Sequence, residues 1–187
     1  SLINKLFEDS RSANFEKSIS DTSRQKRQGD LEGKDYYFLS EKDFKDKIKK
    51  EEYVEYATVF GNFYGTSKEE IKTKYNNSNL ILELDWQGAY AVKELFDDAK
   101  LIFLVPPSLD DLKQRLIKRN LDSSEAIENR LSEAKKEISK SEMYDYLVLN
   151  DDFDKAFEDL SQILFEGISP IDFNSRASKD LIKRLVE

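Results

Sequence analysis

Two short apolar runs, Leu80 to Asp85 (LILELD) and Lys100 to Val105 (KLIFLV), constrain this chain most. Each has the length and bulk of a buried strand. Between them Trp86-Gln87-Gly88 leads into a helix through Phe96. A strand, a helix and another apolar strand make a βαβ unit, which commits the chain to an α/β fold with a parallel sheet. Pro106-Pro107 stops the second strand, because proline offers no N–H to a ladder. Glu83 and Asp85 fall on one face at the carboxyl end of the first strand, where ligands collect in such sheets. Two carboxylates there can hold Mg²⁺, usually through water, or accept a hydroxyl proton. They can equally cap the next helix or pair with arginine.

The other elements are read from spacing and cap chemistry. Ser1 to Phe7 has Leu2, Ile3, Leu6 and Phe7 on one helical face and no initiator Met, so the chain is expected to begin inside a helix, with residues upstream. Phe15 to Ser20 is a short strand, and Asp21 to Asp30 a polar loop carrying Arg24, Lys26 and Arg27. That cluster reads either as ordinary surface or as a local cationic pocket. Asp35 to Leu39 is a strand, and Ser40 with Asp43 opens a helix through about Lys50. Ser67 to Tyr75 is a helix, followed by turn residues Asn76 to Asn79. Ser108 with Asp111 caps a helix to about Lys118. Asp122 with Glu125 has capping-box spacing before a helix over Ser123 to Ser141, with Ile127, Leu131, Ala134 and Ile138 on one stripe and Arg130 on its flank. Tyr146 to Leu149 is the last strand, ending at Asn150, and an amphipathic helix runs from Phe153 to Phe165. The tail beyond Gly167 holds a short helix, Ser175 to Leu185.

Tyr53 to Ser67 (YVEYATVFGNFYGTS) reads as a hairpin turning at Gly61-Asn62. With a period of two, Glu55 shares a face with Tyr53, Ala57 and Val59, a carboxylate in an apolar row. It either snorkels to solvent or meets a partner. Tyr64 and Thr66 point the same way on the second strand.

Composition narrows the chemistry. At 187 residues the chain suits one domain, or one domain with a small inserted lobe, with a substantial core, and 12% aromatic residues exclude disorder despite 36% charged residues. A net charge of -8 argues against a nucleic-acid binder. The chain has neither Cys nor His, so thiol nucleophiles, imidazole bases and Cys/His zinc sites are excluded for it. Carboxylates, Arg, Lys, hydroxyls and main-chain amides remain, an inventory suited to phosphoryl transfer. No apolar run reaches membrane-spanning length and no signal peptide is visible, so a cytoplasmic location is expected.

SISDTSR followed by Arg27, GKDYYF, the hairpin ending GNFYGTS, LELDWQG, VPPS, RLIKR followed by a second RL, and LVLNDD stand in the order and spacing of guanylate kinases. The chain resembles that family over roughly residues 1–166. The resemblance implies a P-loop kinase: a parallel-sheet core (1–19, 80–118 and 142–166), a small β-rich GMP-binding lobe (20–79), a helical lid (119–141) and an unassigned tail (167–187). It implies transfer of the γ-phosphoryl group of ATP to GMP or dGMP, giving ADP and GDP, with Mg²⁺ as cofactor. In that family pattern Glu55 selects guanine, with Ser20 and Thr66 near the O6 edge. Arg24, Arg27, Tyr36 and Tyr64 match residues that hold the GMP phosphate, and Glu83 belongs to the same acceptor set. Asp85 matches an aspartate near acceptor and metal, which it would touch through water. Arg119 and Arg130 match lid arginines that reach the ATP phosphates, and Asn150 a residue near the adenine.

Some positions depart from the pattern. The phosphate loop G-x-x-x-x-G-K-[ST] is absent from the sequence. Lys26 stands where the family usually has Pro, and Asn120 where Gly usually follows the lid arginine. Two other readings compete with the kinase. One is a catalytically silent guanylate-kinase-like module that binds phosphopeptides. The other is a related P-loop kinase for a different phosphorylated acceptor, which would leave Glu55 without a partner. Retention of Asp85, Arg119, Arg130 and Asn150 favours the enzyme.

Overall fold

The computed structural model describes residues 1–75, 78–119, 123–172 and 175–186. It divides into two compact units, one formed by Ser12–Ala99 and the other by Ser1–Arg11 with Lys100–Glu187.

In the Ser12–Ala99 unit, β1 (Phe15–Lys17) pairs in parallel with β6 (Asn79–Ile81). A four-stranded sheet in the order β3-β2-β5-β4 holds β2 (Asp21–Thr22), β3 (Tyr37–Phe38), β4 (Tyr53–Val59) and β5 (Asn62–Ser67). Helices α2 (Glu41–Lys49), α3 (Lys68–Lys74) and α4 (Trp86–Leu95) complete the unit. Ser40 Oγ and Ser67 Oγ accept the Asp43 and Glu70 N–H groups, so hydroxyl caps satisfy donors at the starts of α2 and α3. Phe44 of α2 is fully buried and stacks on Tyr53 and Phe63, with centroids 4.6 and 5.3 Å away. Burying such a ring is worth about 1.5–3 kcal/mol, and it fixes α2 against the hairpin.

β4 alternates as expected. Tyr53, Glu55 and Ala57 are buried, whereas Tyr56 and Thr58 are exposed. The turn falls one residue earlier than the sequence reading. Val59 still pairs with Asn62, and Phe60 and Gly61 make the turn with φ of 50° and 75°. Two successive positive φ values match the twist of a hairpin, so Asn62 is strand rather than turn. Asp21 and Thr22, expected in a loop, are instead a buried two-residue strand pairing in parallel with β3 and antiparallel with β5. β1 ends at Lys17 and β6 at Ile81, so Glu83 and Asp85 lie beyond the strand rather than on it.

In the second unit, β7 (Ile102–Val105) and β8 (Tyr146–Leu149) are parallel in full register. The parallel ladders therefore run β1 to β6 and β7 to β8. The expected β6–helix–β7 succession exists along the chain, but its strands lie in different units. Around β7 and β8 are α1 (Leu2–Glu8), α5 (Leu109–Arg119), α6 (Ser124–Ile138), α7 (Phe153–Ser161) and α8 (Arg176–Val186). A π-helical turn, Gln162–Glu166, continues α7 and is closed by Gly167 at φ 69°. Ser1 caps α1 through Asn4 N–H, and Ser108 caps α5 in a reciprocal pair with Asp111. The cap of α6 is Ser123, which accepts from Ala126 N–H; Asp122 lies outside the described residues. Phe103, Val105, Ile138, Leu147 and Leu185 form the core cluster. The tail helix α8 thus supplies Leu185 to that core, with Leu181, Ile182 and Val186 packed around it.

Candidate active site

Glu55 sits in the middle of β4 opposite Thr66 of β5 and is only 6% exposed. The fully buried Thr66 hydroxyl donates to Glu55 Oε1 at 2.6 Å. The carboxylate therefore points inward and has a partner, which excludes the snorkelling alternative. Burial raises its pKa above the ordinary glutamate range and the charge of Asp85 adds to the rise; the Thr66 hydroxyl and backbone pull the other way. An ionised carboxylate is acceptor-only with lone pairs to spare, so Glu55 can still receive two adjacent N–H donors.

Asp85 is the N-cap of α4, with Oδ1 accepting from Gly88 N–H at 3.0 Å and Oδ2 from Gln87 Nε2 at 3.0 Å. The helix-cap alternative for this residue is thus realised. Glu83 is exposed and pairs with Lys17 Nζ at 2.5 Å, joining the ends of the paired strands β1 and β6.

A second cluster surrounds Arg24. Thr22 Oγ1 donates to Phe63 O and accepts from Arg24 N–H, while Ser23 Oγ accepts from Phe63 N–H. These bonds pin the start of the cationic loop to β5. The Arg24 guanidinium donates to Asp30 Oδ2 and Gln25 O, both at 2.9 Å, and lies 5.4 and 5.6 Å from the Tyr36 and Phe38 ring centres. Asp30 Oδ2 also accepts from Arg27 N–H at 2.7 Å, a bond that, with the Arg24 partner, holds its carboxyl below the usual aspartate range. Arg27 itself is exposed. Tyr36 packs edge-on to Tyr64 at 5.7 Å, and burial pushes its phenol above the ordinary range. Ser20 joins this cluster through its carbonyl, which accepts from Tyr37 N–H. Lys26 lies 5.6 Å from the Phe38 ring centre, so the loop is closed by Asp30 without a proline.

Beneath the cluster, Asp21 is 3% exposed and is bonded by Lys47 Nζ and by the Tyr53 hydroxyl at 2.8 Å. Burial and this carboxylate hold the Tyr53 phenol well above its ordinary range. The three side chains fasten α2, β2 and β4 together. Sequence reasoning missed Asp21 and Asp30, because an aspartate in a polar stretch looks exposed; only partners distant along the chain reveal their work.

The remaining candidates lie in the other unit. Asn150 follows β8, its N–H donating to Val105 O and its carbonyl accepting from Arg115 Nη2 at 2.7 Å. Arg130 stands half-buried on α6. Arg119 is the last residue of α5, and its side chain, like Asn120, lies outside the described residues. Among the described residues, no group of three or more Asp, Glu, His or Cys side chains is arranged to hold a metal, and no helix is long and apolar enough to cross a membrane.

The arrangement offers a buried, ion-capable acceptor of paired N–H groups and, in the same unit, an aromatic-lined arginine fit for an oxyanion. Known proteins resemble the chain over most of its length. The chain is 44% identical over 165 residues to a guanylate kinase of Wolbachia sp. subsp. Brugia malayi, covering 87% of this chain and 84% of the relative. It is 46% identical over 164 residues to a guanylate kinase of Hahella chejuensis, covering 87% and 78%. The crystal structure of guanylate kinase from Anaplasma phagocytophilum superposes with a TM-score of 0.72 at 33% identity, covering all of this chain and 90% of that one. The sequence model of the family described as guanylate kinase matches residues 1–167, and on these findings the chain belongs to the guanylate kinase family.

Proposed function

We propose that this chain transfers the γ-phosphoryl group of ATP to GMP or dGMP, with Glu55 choosing the base. The observation that carries the reading is the buried Glu55 carboxylate, fixed by Thr66 and still able to accept. Guanine presents N1–H and its 2-amino group side by side, a pair that one carboxylate can receive and adenine does not offer. A site built on buried hydrogen bonds rejects analogues that would leave its groups unpaired. Ser20 and Thr66 serve the O6 edge. Arg24 and Arg27 hold the acceptor phosphate, helped by the Tyr36 and Tyr64 hydroxyls. Asp30 keeps the Arg24 fork oriented for that job.

On the donor side Arg119 and Arg130 stabilise charge spread over the moving phosphoryl group. Asn150 lies near the adenine. Mg²⁺ usually keeps several waters and takes one or two carboxylates plus phosphate oxygens. Asp85 suits that mode of contact, because both of its oxygens are already oriented by Gly88 and Gln87 and a water would bridge to the ion. When bound, the ion neutralises phosphate charge. The functional division is a core (1–19, 80–118 and 142–166), a GMP-binding lobe (20–79) and a lid (119–141), with α8 as a structural tail. A cytoplasmic location belongs to the same reading, since the substrates are cellular nucleotides. Nothing in the comparisons favours the silent phosphopeptide module, and the donor-side residues it could dispense with are present.

Calorimetric titration of the full-length protein with GMP and AMP tests the base selector. Parent protein should bind GMP and not AMP, and Glu55→Gln should weaken GMP by at least about tenfold, as loss of a charged hydrogen-bond partner requires. Undiminished GMP binding by E55Q would remove Glu55 from this role.

A further inference from the structure

Gly88 lies in the first turn of α4, where its N–H is bound by Asp85. A methyl group built on its Cα would stand 2.8 Å from Glu55 Oε2, 3.2 Å from Glu55 Cδ and 3.3 Å from Leu84 Cβ. Its φ is not positive, so no backbone requirement calls for glycine. Helix propensity argues against it, because glycine inside a helix is less favourable than alanine by about a kcal/mol. What the missing methyl leaves room for is a carboxylate.

That carboxylate has little freedom to yield. Glu55 is buried and its other oxygen is held by Thr66 at 2.6 Å. Moving Oε2 from 2.8 Å to an ordinary contact of 3.4 Å displaces it by about 0.6 Å. The atom in the way is the end of a side chain rather than backbone, so the fold can absorb the change while the direction of the oxygens cannot stay the same.

We propose that Gly88 is a specificity-determining position: the bare Cα of α4 is the wall against which the Glu55 carboxylate rests, and it sets how both oxygens meet N1–H and the 2-amino group of guanine. The proposal rests on the reading of Glu55 as base selector. It makes the start of α4 a shared support, with Asp85 gripping the Gly88 amide while Glu55 leans on the same residue.

The test is a titration of parent, Gly88→Ala, Glu55→Asp and the double variant with GMP and with IMP, which lacks the 2-amino group. G88A should keep or raise the melting temperature while losing about ten- to a hundredfold in GMP affinity, the span of one hydrogen bond to a charged group. IMP should lose less, so the preference for GMP over IMP falls by roughly tenfold. In the E55D background, where the acid is one methylene shorter, G88A should change GMP affinity less than about threefold, a non-additivity expected of residues in contact. Unchanged GMP affinity in G88A would overturn the proposal, as would equal losses in both backgrounds. A G88A chain that unfolds and is not restored by E55D would overturn it too, since the clash would then involve backbone. Wild-type affinity in E55Q would instead refute the base selector, leaving a separate result.

Discussion

Replacing Thr66 by Val keeps the β-branched shape and removes one hydroxyl. That hydroxyl donates at 2.6 Å to Glu55, and both residues are buried, at 0% and 6% exposure. A hydrogen bond to a charged group contributes about 1.5–3 kcal/mol, and little solvent reaches the buried Glu55 to replace it. The effect depends on pH. Burial raises the Glu55 pKa above its unfolded value, so ionising it in the fold opposes stability at pH above the folded pKa; that penalty is absent below the unfolded pKa. The Thr66 bond limits the rise, so its removal drives the carboxyl higher and enlarges the penalty. T66V should therefore lose about 1.5–3 kcal/mol near neutral pH, or about 3–12 °C in melting temperature for a chain of this size, and lose less as pH falls through the carboxylate range. Urea unfolding followed by the single tryptophan, Trp86, reads this out within the same unit. A loss under about 0.5 kcal/mol at neutral pH, or one equal at acid and neutral pH, would refute the reasoning.

Other changes test other parts. Lys47→Met leaves the buried Asp21 carboxylate, among the described residues, with the Tyr53 hydroxyl as its side-chain partner, and should cost about 3 kcal/mol, the low end for a broken buried pair because Lys47 is partly exposed; urea midpoints that match the parent would contradict it. Phe60→Asn puts a residue that tolerates positive φ at a turn position that is 45% exposed, and should raise stability by about 1 kcal/mol in the same assay. Arg130→Ala should lower turnover by about a hundredfold while shifting the GMP KM by less than about threefold, the split expected of a group that acts on transition-state charge. Unchanged turnover would end that role.

Much of the fold was legible because its signals are local. The alternation in Tyr53 to Val59 put Glu55 on the apolar face, though not whether it stayed inside, and the hydroxyl caps at Ser40 and Ser108 marked helix starts to the residue. Tyr146 to Leu149 is strand over its whole expected length. What escaped was non-local. Two-residue strands such as Asp21–Thr22 are too short to show a period, and they exist because β5 and β3 flank them. The ladder partners of β6 and β7 are set by tertiary packing, which the succession of strand, helix and strand does not encode. α8 was legible as a helix but not as part of the core, since its spacing does not name Phe103 and Leu147 as neighbours. In the site, Glu55 and Thr66 stood out by type and spacing and Arg24 as part of a cationic loop, whereas Tyr36, and a role for each of the four, came only with the resemblance to guanylate kinases. Asp30 and Gly88 were not, because their parts lie in contacts across space.

The most direct test of the account is ADP release by the full-length protein with ATP, Mg²⁺ and each nucleoside monophosphate in turn. The account expects release with GMP and dGMP, none with AMP, and loss of the GMP response in E55Q. Absence of any GMP-dependent ADP release would contradict it.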